Sequence, residues 1–361
     1  MQGARLLSLD AFRGLTMAAM VLVNNPGTWA AVHPPLRHAA WHGLTPTDVV
    51  FPFFLFIVGV AIPLSLQGRP TSVALVRVVR RALVIGALGL LLNAVPDFDW
   101  ATVRIPGVLQ RIAVCYLVAA VLFLATSWRA QAGVAAALLL GYWAAMTLVP
   151  VPGYGAGDLR PEANLAAWID RAVLGPHIWR LGRVYDPEGL LSTAPAVATV
   201  LFGVLAGQWV TGDRTPTTKL FGLTLAGALA LALGAEWGHW FPVNKALWTS
   251  SYAVLTGGLA LLAFAACYWA IDVCGWTRWA RPFAIFGVNA LALYFLSTLG
   301  AITLARVRLD GGPPLQSILY ERAFAPWLSP ANASLAYAAA YVALWWGVMW
   351  VLYRAGIRLR A

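Results

Sequence analysis

The sequence predicts an all-α, polytopic membrane protein, a bundle of about ten transmembrane helices with both termini on the cytoplasmic side. Three observations carry this. Of 361 residues, 60% are hydrophobic and only 11% are charged, against about 25% charged in ordinary soluble domains. Apolar segments long enough for one crossing each recur along the whole length. The net charge of +11 falls entirely on one side once those segments are threaded in order, which the positive-inside rule makes the cytoplasm.

The apolar spans cover roughly 6–23, 49–66, 75–95, 107–126, 132–149, 190–210, 219–237, 251–271, 283–304 and 334–353. The first is no cleavable signal, since it holds Asp10 and Arg13 and lacks a small-residue cleavage site. Connections after even-numbered spans are short. Those after odd-numbered spans are longer and richer in Pro, Gly and Trp. The short-loop side, with both termini, includes Arg5, Arg13, Arg69, Arg77, Arg80, Arg81, Arg358 and Arg360. The other side is neutral and holds His33, His38, His42, His177 and His239 with nearly all the carboxylates. In a membrane protein such an excess of positive charge reports orientation rather than nucleic-acid binding. Cys115, Cys267 and Cys274 lie in or beside apolar segments and read as small buried hydrophobes, not a disulfide framework.

The chain is expected to form a single domain, 1–361, in which the 150–190 connection caps the outer mouth. That connection holds a helical candidate, Glu162–Leu174, with Leu165, Trp168, Ile169 and Val173 as its apolar face. No internal repeat is visible, which weakens an inverted-repeat transporter.

Chemistry concentrates first between spans 1 and 2. His33, His38 and His42 lie within ten residues of one another, and the spacing of His38 and His42 would suit one helical face. The imidazoles read as acid–base or nucleophilic groups, as solvated loop side chains, or as metal ligands with only Asp48 nearby to help. Asp48 reads equally as a helix N-terminal carboxylate and as the partner that orients an imidazole. Asn24 closes span 1 either as a cap or as an amide donor to a developing oxyanion. Gln110 and Arg111 lie inside an apolar span, where a lone charge demands a partner or an anionic ligand. Asp186, Glu188, Asp97 and Asp99 are the candidates. A second polar cluster, Asn244, Lys245 and Trp248, forms an interfacial belt or lines a sugar site, with Arg104, Gln110, Arg111, Asp186 and Glu188 as the site's other residues. Asn289 interrupts span 9 and serves either that site or helix–helix hydrogen bonding.

Six stretches together resemble the catalytic region of the heparan-α-glucosaminide N-acetyltransferase family: Arg5–Thr16, Met20–Asn24, His38–Asp48, Val103–Arg111, Tyr185–Gly189 and Val243–Tyr252. They occur in order over nearly the whole chain. The animal lysosomal enzyme's luminal N-terminal domain has no counterpart among them, and the chain looks like a bacterial member placed in the inner (plasma) membrane. The resemblance implies transfer of an acetyl group from cytosolic acetyl-CoA, as co-substrate, to the amine of a glucosamine-type amino sugar or glycan on the other side. It implies His38 as the active-site histidine and Asn24 as its associated asparagine, with no metal. At His42 the animal pattern has Asn, which lowers any catalytic or metal role there. Arg13, Arg69, Arg77, Arg80 and Arg81 would face the phosphates of CoA. The lipid bilayer is the remaining partner, no nucleic acid is expected, and a homodimer is left open. The rival reading is a transporter or flippase of amino sugars or acyl carriers; a non-catalytic membrane scaffold is a third.

Overall fold

The computed structural model describes residues 6–180 and 183–357; Arg5, Arg358 and Arg360 lie outside the described residues. The described chain is helical, with two isolated bridges, Val151 to Gly155 and Arg308 to Pro314, and no β-strand among the described residues. The helices are α1 (Leu7–Asn24), α2 (Val50–Leu66), α3 (Thr71–Ala94), α4 (Val108–Ala125), α5 (Trp128–Leu148), α6 (Leu165–Leu174), α7 (Thr193–Thr211), α8 (Pro216–Trp237), α9 (Ser250–Tyr268), α10 (Ala280–Val288), α11 (Ala290–Arg306), α12 (Leu315–Ala323) and α13 (Pro330–Arg354).

Each of the ten expected spans has its helix. Eight are long and apolar enough to cross a membrane by themselves. The ninth is the pair α10 and α11, bent by 79° at a break occupied by Asn289, so the polar interruption read in the sequence is a real discontinuity. The tenth, α3, runs 24 residues but carries Arg77, Arg80 and Arg81 in its first half, so its apolar stretch is shorter than those of the other spans. The protein is thus a polytopic helical membrane protein. Apolar side chains of α3 and α8, such as Val76, Leu83, Phe221 and Leu229, are more than 60% exposed. In a membrane that apolar surface faces lipid.

Close helix pairs are set by glycine. A Cβ at Gly59 of α2 would stand 2.0 Å from the Val200 carbonyl oxygen of α7, and one at Gly203 would stand 2.0 Å from the Phe56 carbonyl oxygen. The two backbones therefore touch, as small residues permit in membrane helices. Gly14 of α1 meets Phe283 of α10 and Gly287 meets Asp10 in the same way. Both described chain ends lie at this end of the bundle, where Asn289 donates to the Ile357 carbonyl at 3.0 Å. Helices α2, α4, α7 and α9 share one buried core that includes Leu55, Ile112, Val200 and Tyr252.

The 150–190 connection packs over the opposite end. Its helix α6 buries Leu165, Ala166, Ala167, Asp170 and Leu174, joining Tyr142, Met146, Phe241 and Leu247. The buried stripe is therefore not the one the sequence suggested: Trp168 is 38% and Val173 66% exposed. An acid, Asp170, takes their place inside.

Candidate active site

The loop from Asn25 to Val49 is pinned at both ends and shaped by its prolines. Gly27 donates to the Ser334 carbonyl at 3.2 Å, and His33 Nε2 meets Asn332 Oδ1 at 2.9 Å. Pro34 and Pro35 start a single 3₁₀ turn, and Gly43 needs a φ of +118°. His38 and His42 consequently share no helical face; both sit in irregular backbone.

At the loop's end Thr45 and Asp48 form a reciprocal capping box around a short 3₁₀ helix. This decides what the Asp48 carboxylate can do. Its Oδ2 is filled by three loop donors, Ala39 N at 3.1 Å, Thr45 N at 3.0 Å and Thr45 Oγ1 at 2.9 Å. Its Oδ1 remains for one ring nitrogen, and His38 Nδ1 takes it at 2.7 Å. The Tyr252 hydroxyl donates to the Asp48 carbonyl at 2.6 Å, so α9 fixes the residue from beneath. A carboxylate acceptor sets the imidazole tautomer with the proton on Nδ1. The lone pair is then on Nε2. Asp48 is 1% exposed while the His38 side chain is 44% exposed, an arrangement in which a buried acid orients a reachable base.

Lys245 completes the centre. Its Nζ lies 3.1 Å from His38 Nδ1, 3.4 Å from Nε2 and 3.6 Å from Asp48 Oδ1. Burial depresses the proton affinity of Lys245, with Asp48 and Glu188 pulling the other way. Asn244 is fully buried and builds the turn that presents the lysine, its Oδ1 accepting from Leu247 N at 2.9 Å. Its Nδ2 lies 3.4 Å from His42 Nδ1. Burial lowers the proton affinity of His42 as well. His42 is a neighbour of the centre rather than a member of it.

A second centre joins two loops. Arg104, from the α3–α4 connection, donates to Asp186 Oδ2 at 2.9 Å and Oδ1 at 2.5 Å, and to Glu188 Oε2 at 2.5 Å. Burial opposes the charge on Arg104, but Glu188 and Asp186 outweigh it and hold the proton more firmly than usual. Asp186 also accepts from Trp179 N and Glu188 N, at 3.0 and 2.9 Å. The carboxylates expected for Arg111 are thus bound to Arg104, and Asp97 pairs with Arg180 and Arg306 instead. Arg111 is 2% exposed, donates to the Gly189 carbonyl at 3.1 Å and to Ser192 Oγ, and stacks on Trp248 at 5.2 Å. Among the described residues its Nε and Nη1 have no acceptor, nor has Gln110 Nε2.

Two expected sugar contacts sit elsewhere. Trp248 is 1% exposed, packed edge-on against Phe51 and Tyr252, with Nε1 donating to Thr199 Oγ1 at 3.2 Å. It is a core residue. Asn289 lies at the far end of the bundle, by Ile357. Asn24 lines a separate cavity of about 230 Å³ with Trp29, Gln316 and Tyr341, and no hydrogen bond joins it to His38 among the described residues. Arg77 and Arg80 are exposed on α3, Arg81 covers the Tyr116 ring at 5.0 Å, and Arg69 Nε donates to the Ser65 carbonyl. Arg13 bonds Asp10 at 3.4 Å and the Gly287 carbonyl at 3.2 Å.

The sequence reading missed three features. Asp170 accepts from Leu190 N at 2.8 Å, and burial, reinforced by Asp186, pushes its carboxyl up to about 6. Its signal was an acid in the middle of an amphipathic candidate helix. Trp41, Tyr185 and Trp179 form a run of rings with centroids 5.0 and 5.7 Å apart; aromatics flanking the Asp186–Glu188 stretch hinted at it. Ser192 holds Arg111 with no sequence signal at all. No group of three or more His, Cys, Asp or Glu side chains is arranged to hold a metal among the described residues.

Fold and site together define a multi-pass membrane protein with a histidine, carboxylate and lysine centre at one end of its bundle. Residues 5–234 match the family described as heparan-alpha-glucosaminide N-acetyltransferase, catalytic. The chain is 30% identical over 352 residues to the human heparan-alpha-glucosaminide N-acetyltransferase and 30% identical over 355 residues to the mouse protein. Each alignment covers 80% of this chain and 52% or 53% of the relative. The chain belongs to this family, and it spans about half the length of the curated relatives it matches.

Proposed function

We propose that the protein is a transmembrane acetyltransferase of a bacterial inner membrane. It takes the acetyl group of acetyl-CoA from the arginine-bearing end and delivers it to the amine of a glucosamine-type sugar or glycan at the histidine-bearing end. The observation that carries the reading is the buried Asp48 holding the exposed His38 through Nδ1 at 2.7 Å, which leaves Nε2 as a general base. Membership of a family whose named members are N-acetyltransferases supports the reaction type.

The acceptor amine, in its neutral form, attacks the thioester carbonyl carbon. The new C–N bond forms as His38 Nε2 removes the ammonium proton. The C–S bond then breaks, and the thiolate leaves with that proton returned from the imidazolium. In the two-step variant His38 Nε2 is itself acetylated as the C–S bond breaks and the thiolate leaves; the amine then displaces the imidazole, and the proton it gives up is the one the thiolate takes. Asn24 would donate to the carbonyl oxygen as it gains charge. Lys245, with a depressed proton affinity, holds a second exchangeable proton beside the ring. At the other end Arg77 and Arg80 are exposed and, with Arg13, Arg69 and Arg81, supply positive charge for the phosphates of CoA. The 150–190 connection, which contributes Asp186 and Glu188, caps the mouth.

The test is thiol release by purified protein. Acetyl-CoA alone should give little, an amino sugar should stimulate it, and His38→Ala should abolish the stimulation while the protein still folds. Passage of the sugar across a vesicle membrane with no thiol released would establish the transport reading instead.

A further inference from the structure

An apolar groove between α5 and α8 opens beside Arg214 at the arginine-bearing end of the bundle. We propose that it seats an acyl chain of an anionic glycerophospholipid, whose phosphate lies against Arg214 and Arg129. The site is independent of acyl transfer and needs only a bilayer.

Helix α5 packs along α7, and α8 along α9, so α5 and α8 stand as walls with α7 and α9 as the floor. The groove measures about 650 Å³ and is faced by Phe202, Leu205, Leu223, Ala226, Ala230 and Leu261. That lies within the roughly 300–1,000 Å³ of ligand sites. Its walls belong to the lipid-facing flank. In their most apolar stretches only 17% of α8 and 28% of α5 are buried, against 67% of α7.

Depth separates an acyl chain from a packed helix. Along α7 the lining runs from Trp209 to Phe202, and along α8 from Gly222 to Ala230, which is about 10–12 Å at 1.5 Å per residue. One leaflet supplies about 15 Å of hydrocarbon, so the groove ends inside a single leaflet. A helix from a second copy would need a seam along the full span. A chain entering from one headgroup layer does not.

The mouth is aromatic and cationic. Trp128, Gln208, Trp209 and Arg214 ring it. The Trp209 indole lies on α8 at Gly222, where a Cβ would stand 2.4 Å from the ring, and its Nε1 donates to the Lys219 carbonyl at 3.1 Å. Arg214 stacks on the same indole at 4.0 Å and donates to the Trp209 carbonyl at 3.4 Å. Arg129 lies over Trp128 at 5.3 Å. Each guanidinium is thus held on an indole at the groove's edge, and neither forms a salt bridge among the described residues. Segments 125–131 and 211–219 set Arg129, Arg214 and Lys219 against Asp213 alone. Indoles at headgroup level with cations above an apolar slot complement a phosphate joined to an acyl chain. A zwitterionic headgroup would bring its own cation to the same place, and a free phosphate would leave the slot unfilled.

Native mass spectrometry tests this on protein extracted from vesicles of phosphatidylglycerol and phosphatidylcholine in equal amounts. The parent should retain one lipid per chain, with phosphatidylglycerol favoured roughly tenfold. Arg129→Ala combined with Arg214→Ala should erase that preference, and Arg214→Lys should keep it. Ala226→Trp, which fills the groove from α8 and leaves both arginines in place, should lose the lipid altogether. Should Ala226→Trp fail to fold, the arginine variants still decide. Equal retention of the two lipids by the parent, or a preference that survives the double alanine variant, overturns the proposal. So does a dimeric parent that Ala226→Trp renders monomeric with its lipid retained, because the groove would then seat a second copy.

Discussion

The two charged centres at the histidine-bearing end are built from the same kinds of groups to opposite effect. Around Asp48 the carboxylate is buried and its base is 44% exposed. Around Asp186 both partners are enclosed, with the acid 0% and Arg104 19% exposed, and each carboxylate oxygen already accepts from the guanidinium. The first centre leaves one ring nitrogen, His38 Nε2, on a half-open side chain with Lys245 Nζ 3.4 Å away. The second leaves the Asp186 carboxylate saturated and ties the 150–190 connection to the α3–α4 loop. Burying an acid against a half-open imidazole orients a base; burying it with a permanent cation makes a clamp.

Substitutions should separate the two. The largest effect belongs to the open centre: His38→Ala should lower kcat by a factor of about 10²–10⁴ with an unchanged thermal midpoint, measured by thiol release and by melting of the same preparation. At the clamp the loss should be of structure. Arg104→Ala leaves Asp186 buried without its cation, so unfolding should be easier by about 3–5 kcal/mol, read as a fall in melting temperature that exceeds any change in the activity of the surviving folded fraction. If Arg104→Ala instead melts like the parent and loses only activity, the distinction between base and clamp fails.

A smaller effect tests the acid between them. Asp170 binds its proton more tightly in the folded protein, near 6, than the usual 3.9 or so of a free aspartate. Stability from this group is full below the unfolded value and is lost as pH rises through about 6. Asp170→Asn should therefore melt higher than the parent at pH 7.5, by up to about 3 kcal/mol, and no higher at pH 4. The smallest effect should come from the opposite end: Arg80→Ala, on the exposed face of α3, should change stability by less than about 0.5 kcal/mol while raising KM for acetyl-CoA severalfold.

The spans were readable because each is a run of apolar residues of membrane length, and α3 was readable even though three arginines shorten its apolar stretch. Asp48 was legible as an N-terminal carboxylate because it opens the second span just before its apolar run, and its pairing with His38 across ten residues needed only a tight turn. Long-range partners were another matter. That Arg104 rather than Arg111 takes Asp186 depends on how a loop 82 residues away folds back, which local pattern does not encode. Trp248 was misplaced for a related reason. A tryptophan at a span entrance has the same neighbours in sequence whether it lines the mouth or turns inward, and here a positive φ of 50° turns it into the core. The buried face of α6 was missed because alanines and Asp170, not the larger apolar side chains, pack inward.

We propose that His38, held by Asp48, passes an acetyl group across the membrane. Vesicles containing the protein, with labelled acetyl-CoA outside and an amino sugar trapped inside, test it most directly. Labelled N-acetyl sugar should accumulate inside with the parent protein and not with His38→Ala. Sugar that leaves the vesicles unacetylated, or label transferred equally well by His38→Ala, would contradict it.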